Sequence, residues 1–161
     1  MRLIQTDIGN YFCPDDPGES RYEDSPPRRS VTDEEGSILR RLARDKYVLE
    51  IGTGLGVSTK YLAETAMEVV TVDPDHWVQD PCLPNVRFLR SRPDREFDLV
   101  FIDGNHAYED VLNDIRLSME IPEIIIHDTN IEDVKRAIKT LNLKTIRIYD
   151  TPCQLGIFTP L

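Results

Sequence analysis

Gly52, Gly54 and Gly56 alternate just after an acidic residue, Glu50, in the segment Tyr47-Val-Leu-Glu-Ile-Gly-Thr-Gly-Leu-Gly-Val-Ser58. Val48, Leu49 and Ile51 read as a buried strand, and the residues from Val57 onward read as a helix. Alternate glycines let the backbone turn tightly and let a ligand come close where a Cβ would collide. The spacing is not G-x-G-x-x-G, which seats a pyrophosphate on a helix N-terminus, because Val57 stands where its third glycine would fall. An acidic residue ahead of the loop would repel a pyrophosphate. It suits a ligand that carries an ammonium or sulfonium charge.

Three further groups end apolar runs. Asp73 closes Val69-Val-Thr-Val, 21 positions after Gly52. A carboxylate there can accept both hydroxyls of a ribose, although an Asp before Pro74 also suits a plain turn. Asp103 follows Leu99-Val-Phe-Ile102, with His106 three residues on, and His127-Asp128-Thr129-Asn130 follows Ile124-Ile-Ile126. If the strands are neighbours, these groups share one crevice. Two carboxylates with hydroxyl or amide oxygens form a hard set suited to Mg²⁺. Asp128 alternatively reads as an N-cap for the helix beginning at Ile131. His106 and His127 each read as a general base, with an ordinary pKa near ~6.5, or as a group that orients Asp103 and Asp128.

The elements that must position these residues alternate between periods of two and 3.6. Thr32-Asp-Glu-Glu35 is a capping box opening a helix with Ile38, Leu39 and Leu42 on its apolar face. Strands are expected at 48–51, 69–72, 86–89, 99–102, 123–126, 145–149 and near 155–158. Helices are expected at about 57–67, 108–119 and 131–140. Continuously apolar strands suit a parallel sheet covered on both faces, so the class is α/β and doubly wound. The last two strands have no helix between them and should pair antiparallel. The connection from Leu89 to Phe97 is too short for a helix, leaving one face thinly covered there.

The chain has 161 residues, enough for one domain at 31–161 preceded by an arm, 1–30, that holds Pro14, Pro17, Pro26 and Pro27 and reads as irregular. A net charge of −10 argues against nonspecific nucleic-acid binding. No apolar run reaches the ~18 residues a membrane helix needs. Cys13, Cys82 and Cys153 are odd in number and far apart, which favours free thiols and a cytoplasmic setting.

The run Glu50, Gly52, Gly54, Gly56 resembles the first motif of class I S-adenosylmethionine-dependent methyltransferases, E/D-x-G-x-G-x-G. Ile102-Asp-Gly-Asn-His-Ala-Tyr108 and His127-Asp-Thr129 look like the branch holding metal-dependent O-methyltransferases and cephalosporin-hydroxylase-like proteins. Leu155-Gly-Ile157 resembles that branch's closing element. The resemblance spans about 31–161. It implies a Rossmann-like, mostly parallel sheet with an antiparallel last strand. It also implies that S-adenosylmethionine is held by Glu50, Gly52, Thr53, Gly54, Gly56, Ser58, Asp73, Ser91 and Asp103, with Trp77 a candidate cover for the adenine. Asp103 and Asp128 match two of the positions that hold Mg²⁺ in catechol-type relatives, and Thr129 stands at the third, where those relatives carry Asn, with Asn130 one place later. Catalysis would fall to His106, His127 and Asp103.

The expected activity is methylation of a small-molecule hydroxyl, with Mg²⁺ assistance an open addition. The rivals are a degenerate cofactor-binding or partner-binding module and a metal-dependent hydroxylase. So short a chain needs its arm (Tyr11, Phe12 or Tyr22) or a second subunit to close the acceptor side, and a homodimer is favoured over a monomer.

Overall fold

Each apolar run becomes a strand because the two faces of one sheet bury alternate side chains under different helices. The computed structural model describes residues 2–6, 9–13, 31–75 and 80–161. In chain order the elements are strands β1 (Arg2–Thr6) and β2 (Gly9–Cys13), helix α1 (Asp33–Leu42), β3 (Tyr47–Ile51), α2 (Val57–Ala63), β4 (Glu68–Val72) and β5 (Val86–Leu89). They continue with β6 (Leu99–Ile102), α3 (Tyr108–Leu117), β7 (Glu123–Ile126), α4 (Glu132–Thr140), β8 (Lys144–Tyr149) and β9 (Leu155–Thr159). β3 to β9 form one sheet in the order β5-β4-β3-β6-β7-β9-β8. β9 alone runs against its neighbours, β7 and β8. The doubly wound sheet with an antiparallel last strand is therefore as expected.

One core layer joins Leu49, Val70, Val100 and Ile124 to Val111, Leu112 and Ile115 of α3 and to Val134 and Ala137 of α4. The opposite layer joins Val48, Val69, Leu99 and Ile125 to Ile38 and Leu39 of α1 and to Leu62 of α2. Leu39 and Leu62 are fully buried, and each such side chain stabilises the fold by about 1.5–3 kcal/mol. The capping box forms as read. Glu35 N–H donates to Thr32 Oγ1 at 3.3 Å, and Thr32 N–H donates to Glu35 Oε2 at 2.8 Å.

Two helix ends and the arm depart most from expectation. α2 stops at Ala63 rather than near 67, because Asn85 Nδ2 donates to the Ala63 and Ala66 carbonyls and satisfies the helix end. α3 stops at Leu117, where the Ser118 hydroxyl turns back to the Asp114 carbonyl. The arm, read as irregular, contains the antiparallel pair β1–β2. Residues 14–30 and 76–79, including Tyr22 and Trp77, lie outside the described set, as do the side chains of Tyr11 and Phe12.

Register is what sets up the site. Ile51 pairs with Val72 on one side and with Ile102 on the other, and Ile102 pairs with Ile126. The next residues, Gly52, Asp73, Asp103 and His127, therefore leave the sheet abreast at its carboxyl end. The chain order reverses between β3 and β6, and open α/β sheets bind ligands at such a switch point.

Candidate cofactor and cation site

The glycines divide the work of the loop. Gly52 sits at φ +95°, and a Cβ there would lie 2.3 Å from the Asp103 carbonyl oxygen, so Gly52 exists to let the β6 exit pass. Gly54 sits at φ +49°, and among the described residues no atom lies within 4 Å of where a Cβ would stand. That open side is where a ligand can approach the backbone. Gly56 caps α2 in the left-handed region.

Asp73 fixes this loop directly. Its Oδ2 accepts Thr53 N–H at 3.0 Å and Gly54 N–H at 3.1 Å, and its Oδ1 accepts Asp75 N–H at 3.0 Å. Thr53 is buried, its hydroxyl 2.7 Å from that of Thr71. Ser91 is exposed beyond β5, on the far edge of the sheet.

Glu50 is fully buried, and both its oxygens accept from hydroxyls of α2: Ser58 Oγ at 2.6 Å and Thr59 Oγ1 at 2.5 Å. Burial raises its carboxyl to about 7 against the pull of these hydroxyls. Glu50 and Ser58 thus pin the helix to the strand from beneath the loop. The expectation that Glu50 faces a ligand ammonium gives way to a charge acting from below, because its oxygens are already taken.

A second cluster lies past β6 and β7. His127 Nδ1 is 3.1 Å from Asp103 Oδ1 and 3.2 Å from Asp128 Oδ2. His106 Nε2 is 2.9 Å from Asp128 Oδ2 and 3.6 Å from Asp103 Oδ1. Asp128 has φ +54°, strain of the kind that collects at functional sites. Its carboxylate turns back to the histidines rather than forward to α4, whose N-cap is Ile131 with no side-chain cap bond. The alternative reading of Asp128 as an N-cap is therefore excluded.

The charges explain the protonation states. The Asp103 and then the Asp128 carboxylate beside its ring favour the charged imidazolium and raise His106 to about 9. Burial works to lower His127, but Asp103, Asp128 and Glu35 together push it up to about 12. For Asp128, burial works upward and is outweighed by the two imidazoles, which hold its carboxyl well below the usual range. Near neutral pH both histidines hold their protons, so neither is the base expected from an ordinary imidazole. His127, with a side chain 0% exposed, is also out of reach of an acceptor.

Thr129 leaves the expected cation set. Its hydroxyl donates to the Gln154 carbonyl at 3.1 Å, tying β7 to the turn before β9, and His106 takes the third place beside Asp103 and Asp128. Sequence reading missed Glu35. Beyond its capping role, its Oε2 lies 3.4 Å from His127 Nε2 and its Oε1 accepts Cys153 N–H at 3.3 Å. The capping box is the only local sign of Glu35, since its partners lie in distant parts of the chain.

The sheet order, switch point and glycine loop together match the Rossmann-like fold of methyltransferases. Residues 49–121 match a family model described as a methyltransferase domain. A protein of Mycobacterium sp. (strain JLS), named as a candidate O-methyltransferase, is 31% identical over 114 residues, 56% of this chain and 52% of that protein. The chain thus spans about half the length of that curated relative. Among solved structures, the O-methyltransferase of Bacillus cereus in complex with SAH superposes with a TM-score of 0.63 at 17% identity, over 83% of this chain and 84% of that one. The N-methyltransferase NodS of Bradyrhizobium japonicum, also bound to S-adenosyl-L-homocysteine, gives 0.60 at 17% identity, over 90% and 92%. At these identities the likeness establishes the fold. No helix among the described residues is long and apolar enough to cross a membrane.

Proposed function

We propose that the protein transfers the methyl group of S-adenosylmethionine to a hydroxyl of a small molecule, and that a divalent cation held by Asp103 and Asp128 assists. The observation that carries this reading is the open side of Gly54, abreast of Asp73 and Asp103 at the switch point. Two relatives whose names state O-methyl transfer favour oxygen as the acceptor.

The loop backbone would receive the methionine part, and Asp73, already on the Thr53 and Gly54 amides, stands where a ribose would lie. Glu50 below the loop and Asp103 beside it supply negative charge for the ammonium. The sulfonium is an activated donor, so the main task is to align the acceptor oxygen behind the S–CH₃ bond, which can supply up to ~7–11 kcal/mol. In the transfer the methyl–sulfur bond breaks as the methyl–oxygen bond forms. The electron pair of the broken bond returns to sulfur, and the hydroxyl proton passes to Asp103, the partly open carboxylate at the end of β6.

The donor set fits a cation. His106 Nε2 is a buried atom with no aligned hydrogen-bond partner, although it sits between two carboxylates. A divalent ion there would orient the hydroxyl and lower its pKa.

Titration calorimetry with S-adenosylmethionine, S-adenosylhomocysteine and NAD⁺ tests the cofactor, and release of S-adenosylhomocysteine with hydroxylated acceptors tests the transfer. Binding of NAD⁺ without S-adenosylmethionine would overturn the assignment. Tight S-adenosylmethionine binding without turnover on any acceptor would reduce it to a binding module.

A further inference from the structure

Behind the cation site lies a second cluster of different chemistry. Glu35 of α1, His127 at the end of β7 and Cys153 in the turn between β8 and β9 converge with one ligand atom each, all within 4.8 Å of one another. Their residues are 0%, 1% and 5% exposed. We propose that this cluster is a structural site for a thiophilic divalent cation, Zn²⁺ above all, bound by a Glu35 carboxylate oxygen, His127 Nε2 and Cys153 Sγ.

Four observations carry the site. First, among the described residues His127 Nε2 has no hydrogen-bond partner although Glu35 Oε2 is 3.4 Å away, so the two atoms face each other without an aligned bond. That separation is close to the ~3.3 Å between an oxygen and a nitrogen sharing a tetrahedral zinc, given bond lengths of about 2.0–2.1 Å. Second, His127 Nδ1 is held by Asp103 Oδ1 at 3.1 Å and Asp128 Oδ2 at 3.2 Å. A histidine that ligates a metal usually donates its other N–H to a carboxylate in this way, which fixes the ring and aims the remaining nitrogen at the ion.

Third, Cys153 is a free, buried thiol, and its own N–H holds Glu35 Oε1, leaving Oε2 turned toward His127. Fourth, the Thr151 hydroxyl, two residues from Cys153, is also buried and has no hydrogen-bond partner among the described residues.

Ligand softness separates the two sites. A set of sulfur, nitrogen and oxygen selects zinc-like ions, whereas Asp103 and Asp128 favour hard ions. Zn²⁺ entering here displaces one proton from His127 Nε2 and one from Cys153 Sγ, so the buried net charge is unchanged. The ion would staple α1 and the β8–β9 turn to the strand end that carries Asp128.

Cobalt substitution of the full chain tests this. One equivalent of Co²⁺ should give the sulfur-to-cobalt charge-transfer band of a thiolate ligand and the intense visible bands of a tetrahedral site. Excess Mg²⁺ should leave both in place, and Cys153→Ser should abolish the charge-transfer band. Absence of that band in the wild-type chain, or its survival in the variant, would overturn the proposal. In case Cys153→Ser fails to fold, peptide mapping of alkylated wild-type protein provides an independent reading. Cys153 should be alkylated far more slowly with Zn²⁺ than after chelation, and equal rates would overturn the site.

Discussion

Glu50→Gln isolates the cost of a buried carboxylate under the cofactor loop. The substitution keeps shape and leaves the Ser58 and Thr59 hydroxyls a polar partner, removing only the ability to ionise. In the folded chain burial raises Glu50 from 4.5 to about 7. An acid with a raised folded-state pKa contributes stability that is fully present below its unfolded pKa and is lost as pH rises through its folded one. The window therefore runs from about 4.5 to about 7, and wild-type stability should fall across it. A shift of this size corresponds to about 3 kcal/mol.

The expected result is a change in the difference between the two proteins rather than a fixed offset. Relative to wild type, the variant should gain about 3 kcal/mol of unfolding free energy between about pH 4 and about pH 8. Urea denaturation at several pH values, with m-values checked for constancy, measures this. Hydrogen-bond differences between Glu and Gln enter equally at both ends and cancel. Parallel pH profiles for the two proteins would refute the reasoning. They would show that Ser58 and Thr59 compensate the buried charge fully.

Gly52→Ala should destabilise the fold by roughly 2–4 kcal/mol in thermal or urea unfolding, because its Cβ meets the Asp103 carbonyl in a left-handed conformation. Gly54→Ala should cost only about 1–2 kcal/mol of stability from strain, yet lose S-adenosylmethionine in calorimetry. Asp73→Ala, which frees the Thr53 and Gly54 amides, should weaken that binding by roughly 1–3 kcal/mol. Under the proposed cation role, EDTA and Asp128→Ala should each depress methyl transfer, with added Mg²⁺ rescuing only the former. Deleting residues 1–28 should leave cofactor affinity within about tenfold, ~1.4 kcal/mol, while sharply reducing transfer to the acceptor.

What was legible in the sequence followed from local rules. Leu99–Ile102 and Glu123–Ile126 have the boundaries read from their apolar runs, because a strand buried on both faces ends where polarity begins. Helix ends were less legible. α2 ends where Asn85, 22 positions from Ala63, meets its carbonyls. The convergence of Asp103, His127 and Asp128 was readable once neighbouring strands were assumed. The direction of each side chain was not: Thr129 turns to Gln154, and Asp128 turns back through a left-handed residue. Protonation was the least legible of all. Ordinary imidazole values fail where Asp103, Asp128 and Glu35 surround His127, and only Asp103 and Asp128 come from motif positions the sequence marks.

Glu35 and Glu50 show how this fold sets charge state through the kind of partner it supplies. Both are fully excluded from solvent, and in both burial works to raise the carboxyl. Glu50 meets the Ser58, Thr59 and Thr71 hydroxyls, whose dipoles offset part of the cost, and it ends raised, at about 7. Glu35 meets the His127 imidazole and the Thr32 amide, and it ends lowered, at about 2. One carboxylate is thus poised to change charge near neutrality beneath the cofactor loop, and the other is fixed as an anion behind the cation site. A ligand with positive charge at the loop would favour ionised Glu50, whereas the charge on Glu35 is committed to His127 whatever occupies the loop. Changing the cofactor's charge should therefore move the titration of Glu50 and leave that of Glu35 still.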